Sequence, residues 1–132
     1  MLLLFVMFAA VIVVAWGIFG KPEIAAASIL MWGIGDAAAA LVGIPFGKHK
    51  VNCRLTDGKK SWEGSIAMLV VSLATGLSVL KLSQTSSMSH AMLMAFAGAI
   101  TGALTELFSP SEYDTVTVPV MITAVLLSVS VL

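Results

Sequence analysis

Residues 24–44 read IAAASILMWGIGDAAAALVGI, and the reading of this stretch decides the fold. It holds one ionisable side chain, Asp36, and no proline. A helix of this length reaches roughly 31 Å at 1.5 Å per residue, which matches a bilayer hydrocarbon core of about 30 Å. In lipid, such a run must satisfy its own backbone hydrogen bonds, and a helix does so without closing a barrel. Apolar runs at 2–19, 62–80, 88–108 and 118–132 repeat the pattern. The expectation is an all-α, polytopic transmembrane helix bundle of about five spans, forming a single integral membrane domain over residues 1–132.

Composition points the same way. The chain is 59% hydrophobic and 11% charged, with a mean hydropathy of +1.05. A soluble domain carries about 25% charge, so no soluble domain is expected. Seven basic and seven acidic side chains cancel, and nothing in the total points to nucleic acid. Cys53 is the single cysteine and excludes an intramolecular disulfide; with His49 and His90 it makes no zinc-binding spacing. The first run lacks a basic leader, and Ala-Trp-Gly-Ile-Phe-Gly at 15–20 is a poor cleavage site, so it reads as a span and not as a secretory signal.

With five crossings, the N-terminus and the loops 45–61 and 109–117 share one side of the membrane. Lys48, Lys50, Arg54, Lys59 and Lys60 lie on that side, against Lys21 and Lys81 on the other. The excess of lysine and arginine marks it as cytosolic. Asp57, Glu63, Glu106, Glu112 and Asp114 lie at or near the same face. Nearly all the polar chemistry is therefore expected there.

Asp36 stands eight positions before Ile44, roughly 12 Å below the cytosolic end of its helix. A carboxylate at the centre of a span costs about 2.5–3.5 kcal/mol on insertion scales and usually faces a cavity, a partner or an ion. Gly33, Gly35, Ala37 to Ala40 and Gly43 leave its helix with little bulk, and Asp36, Ala40 and Gly43 fall on one stripe. In the fourth run, Gly98, Gly102 and Glu106 follow at i, i+4 and i+8, a small-residue packing stripe that ends in a carboxylate at the same face.

The loop between the second and third runs carries Gly43-Ile-Pro-Phe-Gly47-Lys48-His49-Lys50 and then Asp57-Gly58-Lys59-Lys60-Ser61-Trp62-Glu63-Gly64. Glycines let backbone amides approach an anion, lysines supply charge, and Ser61 is placed to cap the third helix. The combination suits a polyphosphate. It is not a Walker loop, because Gly43 and Gly47 are one residue too close and no Ser or Thr follows Lys48. The same lysines would also serve simply to fix topology or to touch anionic headgroups. Loop 109–117 adds Glu112, Tyr113, Asp114 and Thr115 on the same face. Mg²⁺ is the natural ion to join such acids to phosphate, since it takes one or two carboxylates plus phosphate oxygens. His49 reads as a solvated loop histidine and His90, at the other face, as structural.

Five motifs together resemble one family. Gly35-Asp36-Ala37-Ala38-Ala39, Gly43 with Gly47-Lys48, Lys60-Ser61-Trp62-Glu63-Gly64-Ser65, Ala103-Leu104-Thr105-Glu106 and Asp114-Thr115-Val116-Thr117-Val118-Pro119 are similar, in order and spacing, to the conserved half of the dolichol kinase, phytol kinase and CTP-dependent diacylglycerol kinase family. The resemblance covers about residues 33–119. It implies a kinase that moves the terminal phosphate of CTP, or of another nucleoside triphosphate, to a lipid alcohol. The early motifs also resemble phosphatidate cytidylyltransferases, which attach CMP to phosphatidate. Those enzymes end in His-Gly-Gly and Asp-Arg signatures that this sequence lacks. The kinases usually carry Asn where this chain has Thr115. They are also generally longer, so the chain reads as a shortened member or a fragment.

The resemblance implies roles. Asp36, Glu106 and Asp114 would hold Mg²⁺ or orient the acceptor hydroxyl. Lys48, Lys59 and Lys60 would neutralise phosphate charge, while Gly47, Gly58 and Ser61 shape the backbone around it. Glu63 would pair with a lysine or bind the metal. The expected partners are CTP or another nucleoside triphosphate, a lipid alcohol and membrane lipids, and the small-residue seams leave room for homo-oligomers. The alternatives are a phosphatidate cytidylyltransferase and a non-catalytic or transport protein with Asp36 on an ion path.

Overall fold

The computed structural model describes residues 2–51, 60–84, 87–109 and 113–132, with the backbone alone for Asp114. Arg54, Asp57, Gly58, Lys59 and Glu112 fall outside the described residues. Among those described, the chain forms five helices and no strand. Helix α1 is Leu2–Ile12 and widens into a π-helical stretch, Val13–Ile18; α2 is Pro22–Phe46, α3 Trp62–Leu82, α4 Met88–Phe108 and α5 Asp114–Ser130. The protein is an all-α membrane bundle. Helices α2, α3 and α4 are long and apolar enough to cross a bilayer, whereas Leu2–Ile18 and Thr115–Ser130 are apolar but shorter. Helix α5 begins at Asp114, a turn before the apolar run at 118–132, and contains Pro119.

Local chemistry sets the helix ends. Gly20 takes a positive φ of 64° in the turn between α1 and α2, a conformation that costs glycine little. Pro22 then starts α2, where its missing N–H costs nothing. Ser61 caps α3 by accepting from the Gly64 amide at 3.3 Å, and Ser87 caps α4 by accepting from the His90 amide at 3.4 Å.

Consecutive helices from α2 to α5 pack side by side, α5 closes back on α2, and α1 packs chiefly on α5. The centre is held by Met31 of α2, which is fully buried. A methyl group on Gly76 of α3 would lie 2.8 Å from its sulfur, and one on Gly98 of α4 would lie 3.0 Å from its terminal methyl. Glycines on two neighbouring helices thus form the socket for one methionine. Gly98 and Gly102 also receive Leu126 and Ile122 of α5. The small-residue stripe is a packing seam, and it carries Glu106 to the end of the bundle where α2 meets α3.

The far end of the bundle is tied separately. Lys21 Nζ donates to Ser130 Oγ at 2.6 Å, and His90 Nε2 lies 3.1 Å from the Val129 carbonyl oxygen. His90 therefore has a structural partner there.

Candidate functional site

The chain leaving α2 and the chain reaching α3 are zipped together. The Val51 amide donates to the Lys60 carbonyl at 2.9 Å and the Trp62 amide to the His49 carbonyl at 3.1 Å, an antiparallel bridge between Lys50 and Ser61. The bridge sets the residues that follow Gly47 beside Lys60 and Ser61. Gly47 closes α2 with its amide on the Gly43 carbonyl at 3.0 Å. No other residue fits there, since a methyl group on Gly47 would meet the Gly43 carbonyl and stand 2.6 Å from Ser61 Oγ. Lower down, α2 and α3 cross at Gly43 and Gly64, where a Cβ on Gly43 would be 3.5 Å from the Gly64 Cα.

This crossing leaves a cavity of about 190 Å³ lined by Asp36, Gly43, Lys60, Ser61, Ser65 and Glu106, among others. Three chemically active side chains come from three places: Asp36 from the middle of α2, Lys60 from the stem before α3, and Glu106 from the last turns of α4. Two carboxylates face one ammonium, so the described lining is negative by one formal charge.

Lys60 is the joint of this site. It is only 8% exposed, as is Glu106, and its Nζ lies 3.2 Å from Glu106 Oε1. The same ammonium donates to the main-chain carbonyl of Glu106. That second bond has a cause in the sequence. In an α-helix the Glu106 carbonyl would accept from the amide four residues on, but residue 110 is proline and has no N–H. A cation at a helix C-terminus is also favoured by the aligned peptide dipoles. Lys60 therefore caps α4 while pairing with the carboxylate that α4 presents. The cap was legible in principle from Pro110 at four residues after Glu106, yet nothing in the sequence says which lysine supplies it.

The remaining expected site residues are distributed as follows. Gly47 and Ser61 are in contact at the rim, and Lys48 is exposed beside them. Glu63 is turned to His49: its carboxylate lies 2.5 Å from His49 Nδ1 and accepts from the His49 amide at 3.3 Å on both oxygens. His49 is thus exposed but anchored, and among the described residues the partner of Glu63 is a histidine. Asp114 starts α5, and its side chain lies outside the described residues. Gly58 and Lys59 lie outside them as well.

Among the described residues no three Asp, Glu, His or Cys side chains converge as a metal-binding set. Asp36 and Glu106 nonetheless share the cavity, and two carboxylates with room for phosphate oxygens fit the way Mg²⁺ is held.

The chain resembles known proteins along most of its length. A cytidylyltransferase family model matches residues 1–111. The phytol kinase of Synechocystis sp. is 38% identical over 101 residues, which cover 76% of this chain and 42% of that protein. The chain thus spans less than half the length of that curated relative. No solved structure matches it. The cavity residues Asp36, Lys60, Ser61 and Glu106 all fall inside the family match, while Asp114 lies beyond it.

Proposed function

The chain belongs to the cytidylyltransferase family, with the motifs of its dolichol and phytol kinase members, and on that basis we propose that it transfers the terminal phosphate of CTP to a lipid alcohol at the cytosolic surface of a membrane. The observation that carries the reading is the meeting of Asp36, Lys60 and Glu106, from three separated stretches, around one cavity toward one end of the helix bundle. Phosphoryl transfer asks a protein mainly for positioning and charge neutralisation. A polyprenol, phytol or diacylglycerol-type alcohol brings the hydroxyl. Its oxygen forms the new bond to the terminal phosphorus, the bridge to the leaving CDP breaks, and Asp36 or Glu106 accepts the hydroxyl proton. Mg²⁺, held by whichever of Asp36 and Glu106 does not take the proton, with Asp114 as a further ligand, would offset the charge of the phosphates. Lys48 and Lys59 do the same from the loop, with Gly58 giving the backbone access. Lys60 orients Glu106 and adds a positive charge behind it. Glu63, through His49, holds the loop stem in place.

The second reading is a phosphatidate cytidylyltransferase, favoured by the name of the matching family and by the Gly47-Lys48-His49-Lys50 stretch. CTP labelled at one phosphate separates the two. A kinase puts the terminal-phosphate label into lipid, and a cytidylyltransferase puts in the label of the first phosphate. Label from neither position in lipid contradicts both.

A further inference from the structure

Next to the polar cavity runs a second, almost wholly apolar groove of about 170 Å³ on the outer surface between α3 and α4. Trp62, Ile66 and Leu69 form one wall, and Ala103, Leu104 and Leu107 the other. Ser65 lines both spaces. The geometry points to this groove as the seat of the hydrocarbon tail of the lipid alcohol, with Ser65 marking the point where its hydroxyl passes into the polar cavity. The assignment rests on the lipid-kinase reading of that cavity and adds the location of the acceptor.

Three observations carry it. The first is direction. The groove begins at Trp62, the first residue of α3, and continues to Leu69, about 10 Å deeper along the helix. The α4 wall runs the same way, from Leu107 near its end back to Ile100. A tail lying there is parallel to the acyl chains of the bilayer, with its polar end at the helix ends where Lys60 and Glu106 sit. The second is the mouth. Trp62 is half exposed there, and tryptophan prefers the headgroup level of a membrane. The third is adjacency. Ser65 is buried, donates to the Ser61 carbonyl at 3.2 Å, and is the side chain common to the two linings. A ligand with a hydroxyl at one end and a hydrocarbon at the other fits the pair of spaces. A second apolar groove, between α1 and α5 and lined by Val11, Val14 and Ala124 among others, includes no residue of the polar cavity.

The test uses the whole protein in lipid nanodiscs with a long-chain isoprenoid alcohol that carries a photoreactive diazirine in its tail. The expected result is saturable labelling of peptides from 62–69 and 100–107, competed by the unlabelled alcohol and not by added phospholipid. Equal competition by phospholipid makes the groove ordinary lipid-facing surface, and crosslinks between two copies at these peptides assign it to an interface; either result overturns the proposal. Ala103→Phe, which puts a ring into the groove from its α4 wall, should cut the preference for the long-chain alcohol over a short-chain one by about tenfold or more, the effect of losing about two buried methylenes. Ala124→Phe, in the α1/α5 groove, should leave that preference alone. If the labelling appears as expected but no phosphate is transferred by the wild-type protein, the kinase reading fails and the groove stands. If transfer occurs and the label maps elsewhere, the groove fails and the kinase reading stands.

Discussion

Lys60 Nζ sits 3.2 Å from the carboxylate of Glu106 and also bonds to the main-chain carbonyl of the same residue. One ammonium thus closes the end of α4, neutralises an acid that is 8% exposed, and joins the loop stem to a helix 46 residues away in sequence. Removing one member of a buried pair costs about 3–5 kcal/mol, because the other charge is left without compensation. Lys60→Met should therefore lower the midpoint of unfolding in detergent markedly. Lys60→Arg, which keeps the charge and the donors, should restore most of it. Equal stability of Lys60→Met and the wild type would show that the pair does not hold α4.

Glycines of this chain should divide sharply by what surrounds them. A methyl group added to Gly33 would have nothing within 4 Å, whereas one added to Gly47 would run into the Gly43 carbonyl and Ser61. Gly33→Ala is expected to be neutral or stabilising by roughly 0.5–1 kcal/mol, since alanine loses less backbone freedom in a helix. Gly47→Ala should open the bridge between 49–51 and 60–62, read as faster proteolysis of the loop. Similar protease sensitivity in the two variants would contradict this account of the α2 end.

A coupled pair sits deeper in the bundle. A methyl on Gly35 would strike Ser72 Oγ, and that hydroxyl donates to the Met31 carbonyl at 3.0 Å. Gly35→Ala should cost about 1 kcal/mol from the lost bond, on top of crowding against Met68. Adding Ser72→Ala removes the displaced hydroxyl and should recover part of the loss, so a thermal-unfolding cycle is expected to be non-additive. Simple additivity would mean that the two side chains do not meet.

At the loop stem, Glu63 accepts from both the amide and the ring of His49. Glu63→Ala removes every one of these bonds, while His49→Ala keeps the amide bonds. Cleavage after Lys48 and Lys50 by trypsin should rise more for Glu63→Ala than for His49→Ala. The reverse order would place the anchoring in the ring alone.

Much of the architecture was legible in the sequence because lipid admits few solutions for a long apolar run. Residues 24–44 could only be a helix, and the stripe of Gly98, Gly102 and Glu106 could only pack closely or fail to pack. The sharing of one cavity by Asp36 and Glu106 was legible as well, since both lie on small-residue stripes that point toward the same membrane face. The bridge between Lys50 and Ser61 was not, because a pairing of two residues on either side of a ten-residue loop leaves no periodic signal. The partners of Lys60 and Glu63 were hidden for a related reason. Several lysines and acids crowd one face, and which pairs with which depends on how α2, α3 and α4 cross, at Gly43 against Gly64 and at Met31 against Gly76 and Gly98.

The central claim is that Asp36 belongs to a centre for phosphoryl transfer, and it is tested most directly by measuring transfer of the terminal-phosphate label of CTP to lipid alcohol by the wild type and by Asp36→Asn, each purified as folded, membrane-inserted protein with Mg²⁺ present. The account predicts labelled lipid phosphate from the wild type and a loss of at least about a hundredfold in Asp36→Asn, the lower end of what a positioned proton-transfer group contributes. Near-normal turnover by Asp36→Asn would contradict it.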